Sequence, residues 1–235
     1  MFTKRAFIRA LATITCVLGT GLLCAVLNRS FEGLSPLGKL ISPSQGLWRH
    51  HPTKPQDLER GLSQALKDSG LKPVRLSFDS REIPHLEADD DTSLYFAQGF
   101  VTAYYRLWQM DFVSRIAVGE TAELLGEKAL PLDRFFRRLR MPAAVRSSAE
   151  LMQTDPITRG PLTAYTRGVN ARIQRLGLDS IPVEYRIFNI LPETWSEERS
   201  AALLKFMAWE LTGYLYDFRM TATKAKLDQT VFEFL

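Results

Sequence analysis

Apolar and polar positions along this chain follow three rhythms, and each predicts a different kind of element. From Ala10 to Leu27 there is no charge at all. A helix of that length rises about 27 Å, close to the thickness of a bilayer's hydrocarbon core. Leu58, Leu62, Ala65 and Leu66 recur at three- and four-residue spacing, predicting a short amphipathic helix over 57–69 that Gly70 ends. Val74, Leu76 and Phe78 then alternate with Arg75 and Ser77, the period of a half-buried strand. An extended arm follows to Ala88, with Pro84 biasing Ile83 away from helical angles. Asp91-Thr92-Ser93 offers capping side chains, after which Leu94, Ala97, Val101, Tyr104, Leu107 and Trp108 share one helical face. Gly119 interrupts that helix, Glu120–Leu125 makes another turn or two, and Gly126 stops it.

The helical rhythm continues to the end of the chain. Leu130–Ala149 sets Leu132, Phe135, Phe136 and Leu139 beneath a row of arginines, and Pro156–Leu176 carries Leu162, Tyr165, Val169 and Ile173. Thr194-x-x-Glu197 forms a capping box with Ser196 as a rival cap, and either starts a last long helix reaching roughly Lys226. Three regions result. Residues 1–29 are a signal peptide or membrane anchor, 30–54 a linker with several Gly and Pro, and 55–235 a mostly helical body with a few short strands.

Composition narrows the function classes. A chain of 235 residues that is 46% hydrophobic and 11% aromatic buries a core and is not a disordered segment. The net charge of +4 is small beside 24% charged residues, and the basic residues form short groups such as Arg134–Arg140. Without a basic stripe or a recognisable module, nucleic acid is not an expected partner. Both cysteines, Cys16 and Cys24, lie in the N-terminal apolar run, so the body has no thiol for disulfides or Cys-ligated zinc. Lys4, Arg5 and Arg9 precede that run and orient the N-terminus toward the cytoplasm, with the body extracytoplasmic (periplasmic). Leu23-Cys24-Ala25 is a poor cleavage site, which favours an inner-membrane anchor over a signal peptide. His50-His51 lacks a third ligand at suitable spacing and reads as solvated loop. His85 reads as a hydrogen-bonded packing residue rather than a catalytic base.

Four linked pieces carry more than periodicity. They are Ile83-Pro84-His85-Leu86-x-Ala88, Tyr95-Phe96-Ala97-x-Gly99-Phe100, Ala103-x-x-Arg106-Leu107-x-Gln109-Met110-Asp111, and Gly119-x-x-Ala122-Glu123-x-x-Gly126. Ala164-Tyr165-x-x-Gly168-Val169-Asn170-Ala171, Ile181-Pro182-x-Glu184-Tyr185 and Pro192-x-x-Trp195 extend the pattern. Together these resemble the start of the penicillin acylase (penicillin amidase) family of N-terminal nucleophile hydrolases. Glu82 stands where that family has glycine, and Tyr105 where it has an acidic residue.

The resemblance implies the α-subunit portion of a four-layer αββα hydrolase. Its substrate would be a small N-acyl amide: a β-lactam side chain, an acyl-homoserine lactone or a similar compound. It implies a precursor cut so that a new N-terminal serine, with its own α-amino group as base, attacks the amide carbonyl. No Ser-Asn dipeptide, the usual start of that second subunit, occurs in these 235 residues. The catalytic residues are therefore expected on a β-subunit partner and none in this chain. Residue for residue, the resemblance places Met207, Glu210 and Leu211 in the acyl pocket and Asp217 as a ligand of a structural Ca²⁺ shared with that partner. Glu210 stands where the best-known members have a cation, and Asp217 is one carbon shorter than the usual glutamate. The alternative reading is a catalytically inactive, membrane-tethered remnant or interaction protein.

Overall fold

The computed structural model describes residues 4–30, 34–43, 46–49, 55–177, 179–212 and 216–232. The chain opens on α1 (Lys4–Leu27), then a single turn, α2 (Leu37–Leu40). The body begins with α3 (Pro55–Asp68) and the strands β1 (Arg75–Phe78) and β2 (Pro84–Glu87), paired antiparallel with Leu76 opposite Leu86. The rest is helical: α4 (Asp91–Val118), α5 (Ala122–Leu125), α6 (Leu130–Arg138), α7 (Met141–Thr154), α8 (Pro156–Ile173), α9 (Val183–Ile187), α10 (Glu197–Thr212), α11 (Tyr216–Lys224) and α12 (Gln229–Phe232). His50 and His51 lie outside the described residues.

Helix α4 is the axis of the body. Its 28 residues span about 42 Å, and the buried core runs along it in three clusters. Near its start Phe96, Phe100 and Val101 meet Leu58, Leu62 and Leu66 of α3. In the middle Leu107 and Met110 meet Val169, Tyr185 and Trp195. At its end Ala117 joins Phe136, Val145, Ala201 and Ala202. The helix is capped one residue before the expected trio: Asp90, not Asp91, accepts from the Ser93 N–H at 2.9 Å. It ends on Gly119 in the left-handed conformation (φ 71°), a region that costs side-chain-bearing residues energy.

Where α4 crosses α8 the backbones touch. A Cβ on Gly168 would sit 1.9 Å from the Phe96 carbonyl oxygen, and one on Gly99 2.1 Å from that of Tyr165. Only glycine permits this approach.

One long helix expected from the sequence is broken. The Leu130–Ala149 stretch divides into α6 and α7 at Arg140, which adopts φ 57°. Pro142 explains the break: its ring excludes continuation of the helix and suits the first turn of a new one. Of the closing helix expected to reach roughly Lys226, the described residues show α10 up to Thr212 and α11 over Tyr216–Lys224. Of the two rival caps for α10, Ser196 accepts from the Arg199 N–H at 3.2 Å. Glu197 instead accepts from the Thr163 hydroxyl at 2.8 Å.

The β1–β2 turn holds a strained residue. Asp79 accepts the N–H groups of Arg81 (2.8 Å) and Ile83 (2.9 Å), and Glu82 is thereby held at φ 61°. The Ile83 N–H, against a smaller opposing effect of desolvation, keeps the Asp79 carboxyl below its ordinary range. His85 stands 3.6 Å from that carboxylate and is 55% exposed, so it is a solvated residue and not a packed one. Glu82→Gly should stabilise the chain by about 0.5–1 kcal/mol, the left-handed penalty less glycine's extra unfolded entropy. Urea unfolding would read this; an unchanged or lower stability would show that the turn carries no strain.

Candidate functional site

Helix α10 carries the residues the sequence assigned to a pocket, and a buried ion cluster fixes where that helix lies. Asp111, on α4, is 3% exposed. Its Oδ1 accepts from Arg115 Nε at 3.0 Å and Arg199 Nη1 at 2.5 Å, and its Oδ2 from the Tyr185 hydroxyl at 3.0 Å. Glu193 closes the ring, accepting from Arg115 at 2.8 Å and Arg199 at 2.6 Å. Arg115 also donates to Glu123 at 3.0 Å. A carboxylate so buried is tolerable only when paired and fully hydrogen-bonded. Burial works against the Arg115 cation, but Asp111 and Glu193 outweigh it and leave its pKa raised. Burial, reinforced by the Asp111 charge, pushes the Tyr185 hydroxyl far above its ordinary value, so it stays protonated and donates.

The loop entering α10 is clamped a second time. Asn170 on α8 donates to the Trp195 carbonyl at 2.9 Å and accepts its N–H at 2.7 Å, while the indole N–H donates to Ser200 at 2.9 Å. At the far side of the cluster Asp133 accepts the N–H groups of Thr121 (2.9 Å) and Ala122 (2.7 Å), capping α5. The sequence offered one signal for this network, the i,i+4 pair Asp111 and Arg115. Glu193 and Arg199 lie too far along the chain for spacing to reveal them.

With α10 held, its two sides separate cleanly. Phe206 and Trp209 turn inward, Trp209 lying edge-on to Phe136 with ring centres 4.9 Å apart. Met207, Glu210 and Leu211 fall together on the other side at i, i+3 and i+4. Met207 is 56% and Leu211 72% exposed, with Glu210 exposed between them and Leu204 a turn before. The structure therefore brings the three assigned pocket residues onto one open face. Asp217 lies in α11, and its side chain is outside the described residues. Among the described residues no group of three His, Cys, Asp or Glu side chains converges on a point where a metal would sit.

Beside the ion cluster, at the start of α10, is a cavity of about 180 Å³. Ser114, Arg115, Glu120, Ser196, Arg199 and Ala202 line it. Burial, then the nearby Glu123 charge, raises the Glu120 carboxyl above its ordinary range. Its native state thus binds the proton more tightly than the unfolded chain does. That contribution is full below the unfolded carboxylate range, about pH 4.3, and is lost as pH rises through the native value. Glu120→Gln should therefore melt higher than the parent at pH 7, with the gain closing toward pH 4. A variant that melts lower at pH 7 would contradict this assignment. Asp111→Asn leaves two guanidiniums facing a neutral amide and should cost about 3 kcal/mol of unfolding free energy, read by urea titration. A loss well under that amount would show the cluster to be replaceable.

The comparisons with known proteins agree with this arrangement of elements. The family model described as penicillin amidase matches residues 73–235. The penicillin acylase 2 proenzyme of Pseudomonas sp. (strain SE83) is 37% identical over 145 residues, covering 61% of this chain and 18% of that protein. The acyl-homoserine lactone acylase QuiP of Pseudomonas aeruginosa is 32% identical over 150 residues, 59% of this chain and 17% of the relative. The chain thus spans under a fifth of the length of these curated relatives. Among solved structures, a thermostable penicillin G acylase from Alcaligenes faecalis superposes with a TM-score of 0.57 at 25% identity, over 68% of this chain and 85% of the matched chain. With the family model covering most of its length, this chain belongs to the penicillin amidase family.

Proposed function

We propose that this chain is the α-subunit portion of an amidohydrolase that cleaves the linear amide bond of a small N-acyl compound, the nucleophilic serine residing on a companion piece. The observation that carries the reading is the family match together with the open Met207–Leu211 face of α10. Coverage supports the subunit division: the chain covers 85% of the matched solved chain but only 17–18% of the curated relatives. A relative named as a proenzyme is consistent with a cleaved precursor. The whole would fold as four αββα layers, with this chain supplying an outer helical part.

In this reading the serine hydroxyl of the companion adds to the amide carbonyl, the amine departs with a proton, and water releases the acid from the acyl-serine. Met207 and Leu211 supply apolar walls for the acyl group. Glu210 sits between them and disfavours a negatively charged acyl tail by like-charge repulsion. Acyl substrates drawn from the relatives' names are a penicillin side chain and an N-acyl-homoserine lactone. Asp217 offers one hard oxygen to a Ca²⁺, which takes about six to eight, so the remaining ligands would come from the companion. Within α1, Phe7–Leu27 is a 21-residue stretch of membrane-spanning composition with no buried residue; we read it as a retained anchor with the body in the periplasm.

The test is co-production of this chain with a Ser-headed β-subunit of the family, followed by amine release from penicillin G and an N-acyl-homoserine lactone. Activity should require both pieces, and Met207→Ala or Leu211→Ala should lower kcat/KM for a long acyl group about tenfold while sparing a short one. No amidase activity from the assembled pair would overturn the enzymatic reading. Equal effects on long and short acyl groups would remove α10 from the pocket.

A further inference from the structure

The residues between α1 and the body, expected from composition to be a plain linker, are held on both sides. The Ser35 N–H donates to the Ile187 carbonyl at 2.7 Å, the Lys39 ammonium to the Asn189 side chain, and Arg186 Nη1 to the Gly46 carbonyl at 2.8 Å. Ser35 is buried as a result. On the other side α2 lies against the last turn of α1: a Cβ on Gly38 would stand 3.2 Å from the Leu27 carbonyl oxygen. The segment therefore occupies the level at which α1 ends.

Its outward side chains suit that level. Leu37 and Ile41 are 51% exposed and Trp48 71%, and Leu34 and Leu47 are also exposed. Trp48 donates its indole N–H to the Ile41 carbonyl at 3.1 Å, which leaves an apolar ring surface facing outward. Five exposed large apolar side chains within 34–48 are unfavourable in water. They are favourable in the headgroup–acyl boundary, where tryptophan and short amphipathic segments collect. Continuity with α1 selects the occupant, because the strap cannot leave the boundary while α1 crosses the bilayer. Arg29, exposed just past α1, is placed for lipid phosphates.

We propose that residues 34–43 and 46–48 form an interfacial anchor, in which Leu34, Leu37, Ile41, Leu47 and Trp48 enter the lipid boundary and clamp α9, and with it the body, flush on the membrane. This rests on reading α1 as a retained span. The body is then not on a flexible tether: it has one fixed face toward lipid.

Ile41→Cys, Trp48→Cys, Ser63→Cys and Ile157→Cys, each in a Cys16→Ala/Cys24→Ala background, are labelled with bimane. The full chain is reconstituted in phosphatidylethanolamine–phosphatidylglycerol vesicles containing a nitroxide lipid. Labels at 41 and 48 should be quenched about threefold more than those at 63 and 157, and be shielded from aqueous iodide by a similar factor. Quenching at 41 and 48 equal to that at 63 and 157 overturns the anchor. Labels at 41 and 48 shielded from both quenchers also overturn it, in favour of a protein partner. N-terminal sequencing of the membrane fraction from cells separates the two readings. A removed α1 overturns the retained span and the strap that depends on it, whereas a retained α1 with unquenched labels overturns the strap alone.

Discussion

One buried carboxylate governs the geometry of this body. Asp111 is buried and accepts hydrogen bonds from two guanidiniums and a phenol. Those donors come from α4, α9 and α10, so the charge is satisfied only when all three are in register. Desolvation makes any partial arrangement costly, which turns a local pairing rule into a constraint on helix placement. Arg199 is the decisive member. It is on the first turn of α10, and its bond to Asp111 orients the helix whose later turns carry Met207, Glu210 and Leu211.

Most residues that carry the family resemblance are builders of this frame. Gly99 and Gly168 let α4 and α8 touch, Gly119 ends α4, Glu123 meets Arg115, and Asn170 grips Trp195. Each does something another residue type does poorly: absent Cβ, positive φ, a charge for a guanidinium, or paired donor and acceptor. The residues proposed for the acyl pocket are different in kind. They are few and exposed, as a surface awaiting the proposed companion would be. Under the proposed function, substitutions on this face of α10 would change acyl preference without disturbing the frame beneath it.

The two ends of the body answer to different solvents. At the α10 end, apolar side chains face a space that the proposed catalytic companion would fill. At the α9 end, the strap and α1 present the apolar side chains proposed to meet a bilayer surface. Between them lies the polar cluster around Asp111, tied to α9 through Tyr185 and to α10 through Arg199.

The sequence by itself determined the elements and the family. Periodicity of two gave the first strand, periodicity of 3.6 gave α3, α4 and α8, and glycines and prolines marked their ends, because these signals are local and depend on a few neighbouring dihedrals. Pro142 marks the α6–α7 break locally, but the apolar and basic run on either side of it predicts one continuous helix. Tertiary structure alone decided the rest. Glu193 and Arg199 join Asp111 across about eighty residues, and no spacing rule reports a charge pair made by folding. The strap's bonds to α9 are likewise long-range, so composition showed only a polar stretch where the structure has a docked one. Which face of α10 opens outward was set by Phe206 and Trp209 finding Phe136, a contact that exists only once α4 and α6 are in place.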